Sequence, residues 1–145
     1  MMSIQSILSD LRMNALGLIM YFCCAIAGLA DVIYVDAGAT GGNTGASWSD
    51  AYADLQDALA AATSGDEIWV AAGTYKPTSD TDQTISFVMP TGVAIYGGFA
   101  GAETERNQRD WQTNESILSG DIGVEGRIYD NSTHVVVGSD SATLD

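Results

Sequence analysis

Asp80 and Asp82, one residue apart in a polar stretch, are the most direct candidates for chemistry, because two carboxylates at that spacing can share a calcium ion. The stretch lacks the central glycine and the distant bidentate glutamate of an EF-hand loop, so calcium stands only as a weak candidate cofactor and a solvated loop is expected. The side chains open to proton abstraction are Lys76, Arg106, Arg109, Arg127 and His134. Arg106 and Arg109 lie beside Glu103, Glu105 and Asp110, which predicts local ion pairs rather than catalysis. His134 stands among valines with no serine or cysteine partner placed by the sequence, the setting of a structural or solvent-facing histidine. No residue is assigned a catalytic role. Trp111 and Tyr129, in polar stretches, are weak candidates for stacking on a sugar ring.

The glycine run at residues 37–45, AGATGGNTG, has a GxxGG look, but it lacks both the Gly-Lys-Ser/Thr ending and the GxGxxG spacing of phosphate-binding loops. A loop crossing a sheet end is expected there. Asn114-Glu115-Ser116 and Asn131-Ser132-Thr133 match the glycosylation sequon, which would mark exposed loops in a eukaryotic source and means little in a bacterium.

The elements that must position these side chains belong to a chain of 145 residues, 46% hydrophobic and 17% charged, enough for one domain with a buried core. Nineteen acidic residues against five Lys and Arg give a formal charge of -14, which repels phosphate backbones and argues against nucleic acid as a partner unless a divalent cation intervenes. The two cysteines, Cys23 and Cys24, are adjacent, and bulky Met20-Tyr21-Phe22 precedes them where a lipid-anchor motif needs small residues. They receive no redox, metal or anchoring role. A fold without further cysteines must be held by packing and backbone hydrogen bonds.

Residues 15–30, ALGLIMYFCCAIAGLA, are apolar, end in small residues suited to signal peptidase, and are followed by Asp31 rather than by a basic stop-transfer cluster. The expectation is an export signal cleaved after Ala27 or Ala30. The mature chain would then be residues 31–145, with no integral membrane span. Removal of residues 1–30 takes away Asp10 and Arg12, one acid and one base, so the charge stays at -14.

Beyond Asp31 the pattern is mainly β. Strands are expected at residues 31–36, 67–71, 93–96, 116–120 and 133–138, each short, β-branched or aromatic, and bounded by glycine or polar loops, with a further apolar run at 85–89. Residues 139–145 are expected to trail away. One helix is predicted at about 47–62, where Trp48, Tyr52, Leu55, Leu59 and Ala62 form an apolar stripe and Ser47 with Asp50 resembles a capping box. Ile68, Ile95, Ile117 and Val136 mark strand centres roughly twenty to twenty-seven residues apart, a spacing that suits a parallel coil in which each turn adds one strand beside the last. The helix would cover the open end of that coil.

The runs IYVDAGATGGNTGASWSDAYADLQDALAAATSGDEIWVAAGTYKP, GVAIYGGFAGAETERNQRDW, ILSGDIG and DNSTHVV resemble the start of bacterial right-handed parallel β-helix proteins of the pectin-lyase-like fold, similar to polymorphic outer-membrane-protein-like families. The resemblance spans Val32 to about Val137. It implies an N-terminal cap and first rungs of an incomplete coil, and a secreted, extracellular or outer-membrane location at a bacterial cell surface. The implied function is non-catalytic, in adhesion or carbohydrate interaction, with a polysaccharide or a host or neighbouring cell-surface protein as partner. Two alternatives stand beside it: the N-terminal part of a polysaccharide lyase or glycosidase, and a stand-alone glycan-binding module. The last strand of such a coil would leave an edge free for self-association.

Overall fold

The computed structural model describes residues 30–145. The expected export signal and its cleavage after Ala27 lie outside the described residues, and Ala30 is the first of them. These residues form eight short strands, one α-helix and one 3-10 turn. In order they are β1 (Val32–Val35), α1 (Leu55–Ala61), β2 (Glu67–Ala71), β3 (Gly73–Tyr75), β4 (Phe87–Val88), β5 (Ala94–Phe99), the 3-10 turn (Arg106–Gln108), β6 (Ser116–Leu118), β7 (Val136–Val137) and β8 (Thr143–Leu144). The described chain is therefore mainly β, and every strand pairing in it is parallel.

Parallel neighbours need long crossovers, which is why paired strands lie far apart in the chain and no tight hairpin joins them; β2 and β3, separated by Ala72 alone, belong to different sheets. The largest sheet has the order β1-β2-β5-β8, and two smaller sheets pair β3 with β6 and β4 with β7. Register stacks like on like. Ile33 lies opposite Ile68, Ile68 opposite Ile95, and Ile95 opposite Leu144; Val35 lies opposite Val70. Strand side chains alternate between faces, so Ile33, Val35, Ile68, Val70 and Ile95 point together into the core with Leu55, Ala58, Leu59, Phe87, Met89 and Val93, whereas Leu144 at the end of the row is half exposed. Each fully buried aliphatic or phenylalanine side chain contributes about 1.5–3 kcal/mol.

The opposite face of the same sheet carries Tyr34, Trp69 and Tyr96 in register. Trp69 is nevertheless only 4% exposed, because Tyr34 packs edge-on at 5.7 Å and Phe99 stacks on it. A bulge delivers Phe99 there. β2 advances two residues from Trp69 to Ala71 while β5 advances three from Tyr96 to Phe99. The extra residue turns Phe99 outward onto Trp69. Gly98 permits this, with φ of +91° and no room for a Cβ, which would lie 2.8 Å from the Trp111 Cα.

The helix is shorter than the periodicity predicts: seven residues, Leu55–Ala61, rather than 47–62. Tyr52 is held extended by backbone bonds, its N–H donating to the Tyr34 carbonyl and its carbonyl accepting from Asp36, both at 2.9 Å. A residue paired to a strand edge cannot also bond within a helix. Asp54 is therefore the N-cap, its carboxylate accepting from the Gln56 N–H at 2.9 Å. Ser47 and Asp50 do bond reciprocally, closing an isolated turn. Trp48 is aromatic packing instead, 4.8 Å from Tyr34.

The strand centres also need correction. Ile68 and Ile95 are neighbours in one sheet, but Ile117 lies opposite Thr74 and Val136 opposite Phe87, in the two smaller sheets. The fourth member of the isoleucine layer is Leu144, from the stretch expected to trail away. β3 is a further strand that the sequence pattern did not single out.

Candidate functional site

Strands β6, β7 and β8, each with one neighbour among the described residues, border a common opening of about 730 Å³. Ile95, Leu118, Val135, Val136 and Leu144 supply its apolar lining, and Trp111, Glu115 and Asp145 complete it. Trp111 is 65% exposed. Its backbone is fixed from both sides: the Asp110 N–H donates to the Gly98 carbonyl at 2.8 Å, and the Asp110 carbonyl accepts from Asn114 at 2.8 Å. The Asp110 carboxylate accepts from the Thr113 hydroxyl and from the Thr113 and Gln112 N–H groups, bonds that hold it below the usual carboxylate range. A large, exposed aromatic face is thus presented at the rim of the opening.

Tyr129 is 84% exposed, and its carbonyl accepts from Gln83 Nε2 at 2.7 Å. It does not line the opening, so the structure does not gather the two expected stacking residues at one cavity.

The arginines do not form the expected local ion pairs. Arg106 reaches Glu67 at 2.6 Å and Arg109 reaches Asp145 at 2.5 Å, across 39 and 36 residues of chain. The local acids are already engaged. Glu103 accepts from the N–H groups of Ala100, Gly101 and Ala102; burial pushes its carboxyl up, but these bonds outweigh it and the net shift is downward. Glu105 and Gln108 form the capping box of the 3-10 turn. Both guanidinium groups lie over the Tyr96 ring, at 4.5 and 5.2 Å from its centre, so the crossover 100–111 is clamped onto the outward face of the sheet.

Asp80 and Asp82 are exposed. Thr84 donates to the Asp82 carboxylate from its hydroxyl at 2.6 Å and from its N–H at 2.9 Å, which lowers the carboxyl from its ordinary value. Among the described residues no group of three or more His, Cys, Asp or Glu is placed to hold a metal ion. His134 is exposed, and its carbonyl accepts from the Ser86 hydroxyl at 2.7 Å. In the glycine loop, the Gly42 N–H donates to the Asp50 carboxylate and those of Thr44 and Gly45 to the Asp50 carbonyl. An internal carboxylate thus occupies the place an anion would take.

A smaller cavity of about 270 Å³ lies beside β3, lined by Asp54, Thr74, Tyr75, Lys76 and Thr78 among others. The Tyr75 hydroxyl donates to the Ala71 carbonyl at 3.0 Å. Burial pushes its pKa up to about 12, with the Asp36 charge adding to the rise and a bond from the Ala37 N–H opposing it.

Sequence reasoning passed over Leu144 and Asp145. They reach the opening through β8, whose two residues carry too little alternation to be read as a strand. Among the described residues no helix is long and apolar enough to cross a membrane. The chain matches no protein-family model, no curated protein and no solved structure.

Proposed function

We propose that the chain is the exported, non-catalytic capped end of a right-handed parallel β-helix, part of a secreted or cell-surface bacterial protein engaged in adhesion or carbohydrate interaction. The observation that carries the reading is the layered register Ile33, Ile68, Ile95 and Leu144 in one all-parallel sheet, whose first strand has its outer edge bonded to Gly45 and Tyr52. Long crossovers between parallel strands, with two further parallel pairs, are the arrangement a coil requires. α1 supplies the closure: Leu55, Ala58 and Leu59 are buried against the core, and Gln56 Nε2 donates to the carbonyls of Pro77 and Ser86.

Carbohydrate contact is assigned to Trp111. Trp69 is buried and Trp48 donates its indole N–H to the Glu103 carbonyl, so a saccharide stacking on tryptophan meets Trp111 first. Titrating the chain with neutral, uronic and amino-sugar oligosaccharides while following tryptophan fluorescence tests this. A saturable change that disappears in Trp111→Ala is expected. Absence of a response to all three classes would overturn the carbohydrate assignment.

A further inference from the structure

β3 pairs along one edge only. The Gly73 N–H donates to the Glu115 carbonyl at 3.0 Å and the Tyr75 carbonyl accepts from the Ser119 N–H at 2.8 Å, so both residues direct backbone groups toward β6. Successive strand residues turn these groups to opposite edges, which leaves the N–H and C=O of Thr74 facing away from β6. Thr74 lines the cavity of about 270 Å³ together with Ala37, Ala53, Asp54, Lys76 and Thr78. None of its lining comes from β6, β7 or β8, so strands stacked beyond those three would leave it open.

The walls are fixed in advance. The Tyr75 hydroxyl ties β3 to the loop after β1, donating to the Ala71 carbonyl at 3.0 Å and accepting from the Ala37 N–H at 3.4 Å. Pro77 is buried and its carbonyl accepts from Gln56 Nε2 at 2.8 Å, while the Ala53 N–H donates to Asn43 Oδ1 at 2.9 Å. The Thr78 hydroxyl accepts from the Asp80 N–H at 3.0 Å and keeps its own proton to donate. Walls already ordered lower the entropic cost of holding a small ligand.

Charge narrows the choice of ligand. Asp54 and Lys76 are opposite in sign and line the same cavity, yet no ion pair joins them; the salt bridges among the described residues are Arg106 with Glu67 and Arg109 with Asp145. A simple anion would gain Lys76 but meet Asp54, a simple cation would do the reverse, and a neutral sugar would answer neither charge. A molecule carrying both charges on neighbouring atoms answers both. The free N–H and C=O of Thr74 add a donor for its carboxylate and an acceptor for its ammonium.

We propose that this cavity binds a free α-amino acid, its carboxylate toward Lys76 and the Thr74 N–H and its ammonium toward Asp54 and the Thr74 carbonyl. The volume falls below the roughly 300 Å³ at which sites for drug-sized ligands begin, which suits one amino acid. Ala37 and Ala53 are small and leave room for its side chain. The inference concerns a cavity that Trp111 does not line and is independent of the carbohydrate assignment.

Isothermal titration calorimetry of the full chain with glycine, alanine, serine, leucine and glutamate tests it, followed by the N-acetyl and amide derivatives of the tightest binder, each lacking one charge. Saturable one-to-one binding of at least one free amino acid is expected, weakened about tenfold or more in both derivatives and in the variants Lys76→Gln and Asp54→Asn. Asparagine also caps helices, so Asp54→Asn keeps α1, and unchanged far-UV circular dichroism checks both variants. Trp111→Ala is expected to bind the amino acid as the wild type does. No saturable binding of any of the five, a derivative that binds as tightly as its parent, or a folded variant with wild-type affinity would each overturn the proposal.

Discussion

Phe99 stacks on Trp69 with ring centres 4.8 Å apart and planes 8° from parallel, on the face of the largest sheet that points away from the core. The pair makes that face a second buried layer, joined by Trp48 at 5.6 Å from Phe99. Aromatic pairs contribute about 0.5–1.5 kcal/mol beyond their area burial. Phe99→Ala removes a side chain with no exposed surface and is expected to cost about 3–5 kcal/mol in urea unfolding. A loss under about 1 kcal/mol would mean that the stack is not a structural anchor.

Gly45 and Gly126 have nearly the same backbone, with φ of +72° and +73°, but opposite surroundings. A Cβ at Gly45 would lie 2.6 Å from the Tyr52 ring and 2.9 Å from Ile33, whereas one at Gly126 would meet nothing within 4 Å. Gly126→Ala is expected to cost about 1 kcal/mol, the strain of a left-handed residue alone. Gly45→Ala adds overpacking and is expected to cost about 3 kcal/mol. Parallel denaturation curves check the difference, and equal losses would show that Tyr52 yields.

Asp66 is nearly buried between β1 and the end of α1. Burial pushes its carboxyl up, but hydrogen bonds from the Thr63 N–H, the Asp31 N–H and the Thr63 hydroxyl outweigh that and bring it below its ordinary 3.8. A depressed folded value means stability that is fully present above 3.8 and is lost as pH falls through the folded value. Asp66→Asn sets an amide N–H₂ against backbone donors and is expected to cost about 1–3 kcal/mol at neutral pH. The gap between wild type and variant should close in acid; a gap independent of pH would assign the loss to packing.

Tyr75 acts at the other limb. Its folded pKa of about 12 against an ordinary 10.0 gives stability that is whole below 10 and lost as pH rises toward 12. Tyr75→Phe removes the bond to the Ala71 carbonyl at a cost of about 1 kcal/mol and flattens the alkaline decline. Unfolding measured at neutral and alkaline pH checks both effects. An unchanged alkaline slope would place the titrating group elsewhere.

How much was legible follows from range. The sequence places β2 at its observed bounds, because Glu67–Ala71 is a short run rich in β-branched and aromatic residues and closed by glycines, signals carried within a few residues. The helix was found but overextended. Trp48 and Tyr52 keep helical spacing, but the backbone bonds of Tyr52 with Tyr34 and Asp36 withdraw it from the helix. The exposure of Trp111 and Tyr129 agreed with their polar surroundings in sequence, while the separation of the two residues did not show there.

Composition and local pattern by themselves determined a mainly β chain with one helix near its start, an excess of acidic residues, and strands not joined by tight hairpins. Tertiary structure alone decided which strands are neighbours, that Leu144 completes the layer begun by Ile33, that Arg106 and Arg109 pair with Glu67 and Asp145, and that Asp50 fills the glycine loop. The reason is physical. Alternation and turn propensity act between adjacent residues, whereas parallel pairing and ion pairing join residues tens of positions apart, and the partner is set by which loops the rest of the chain allows to close.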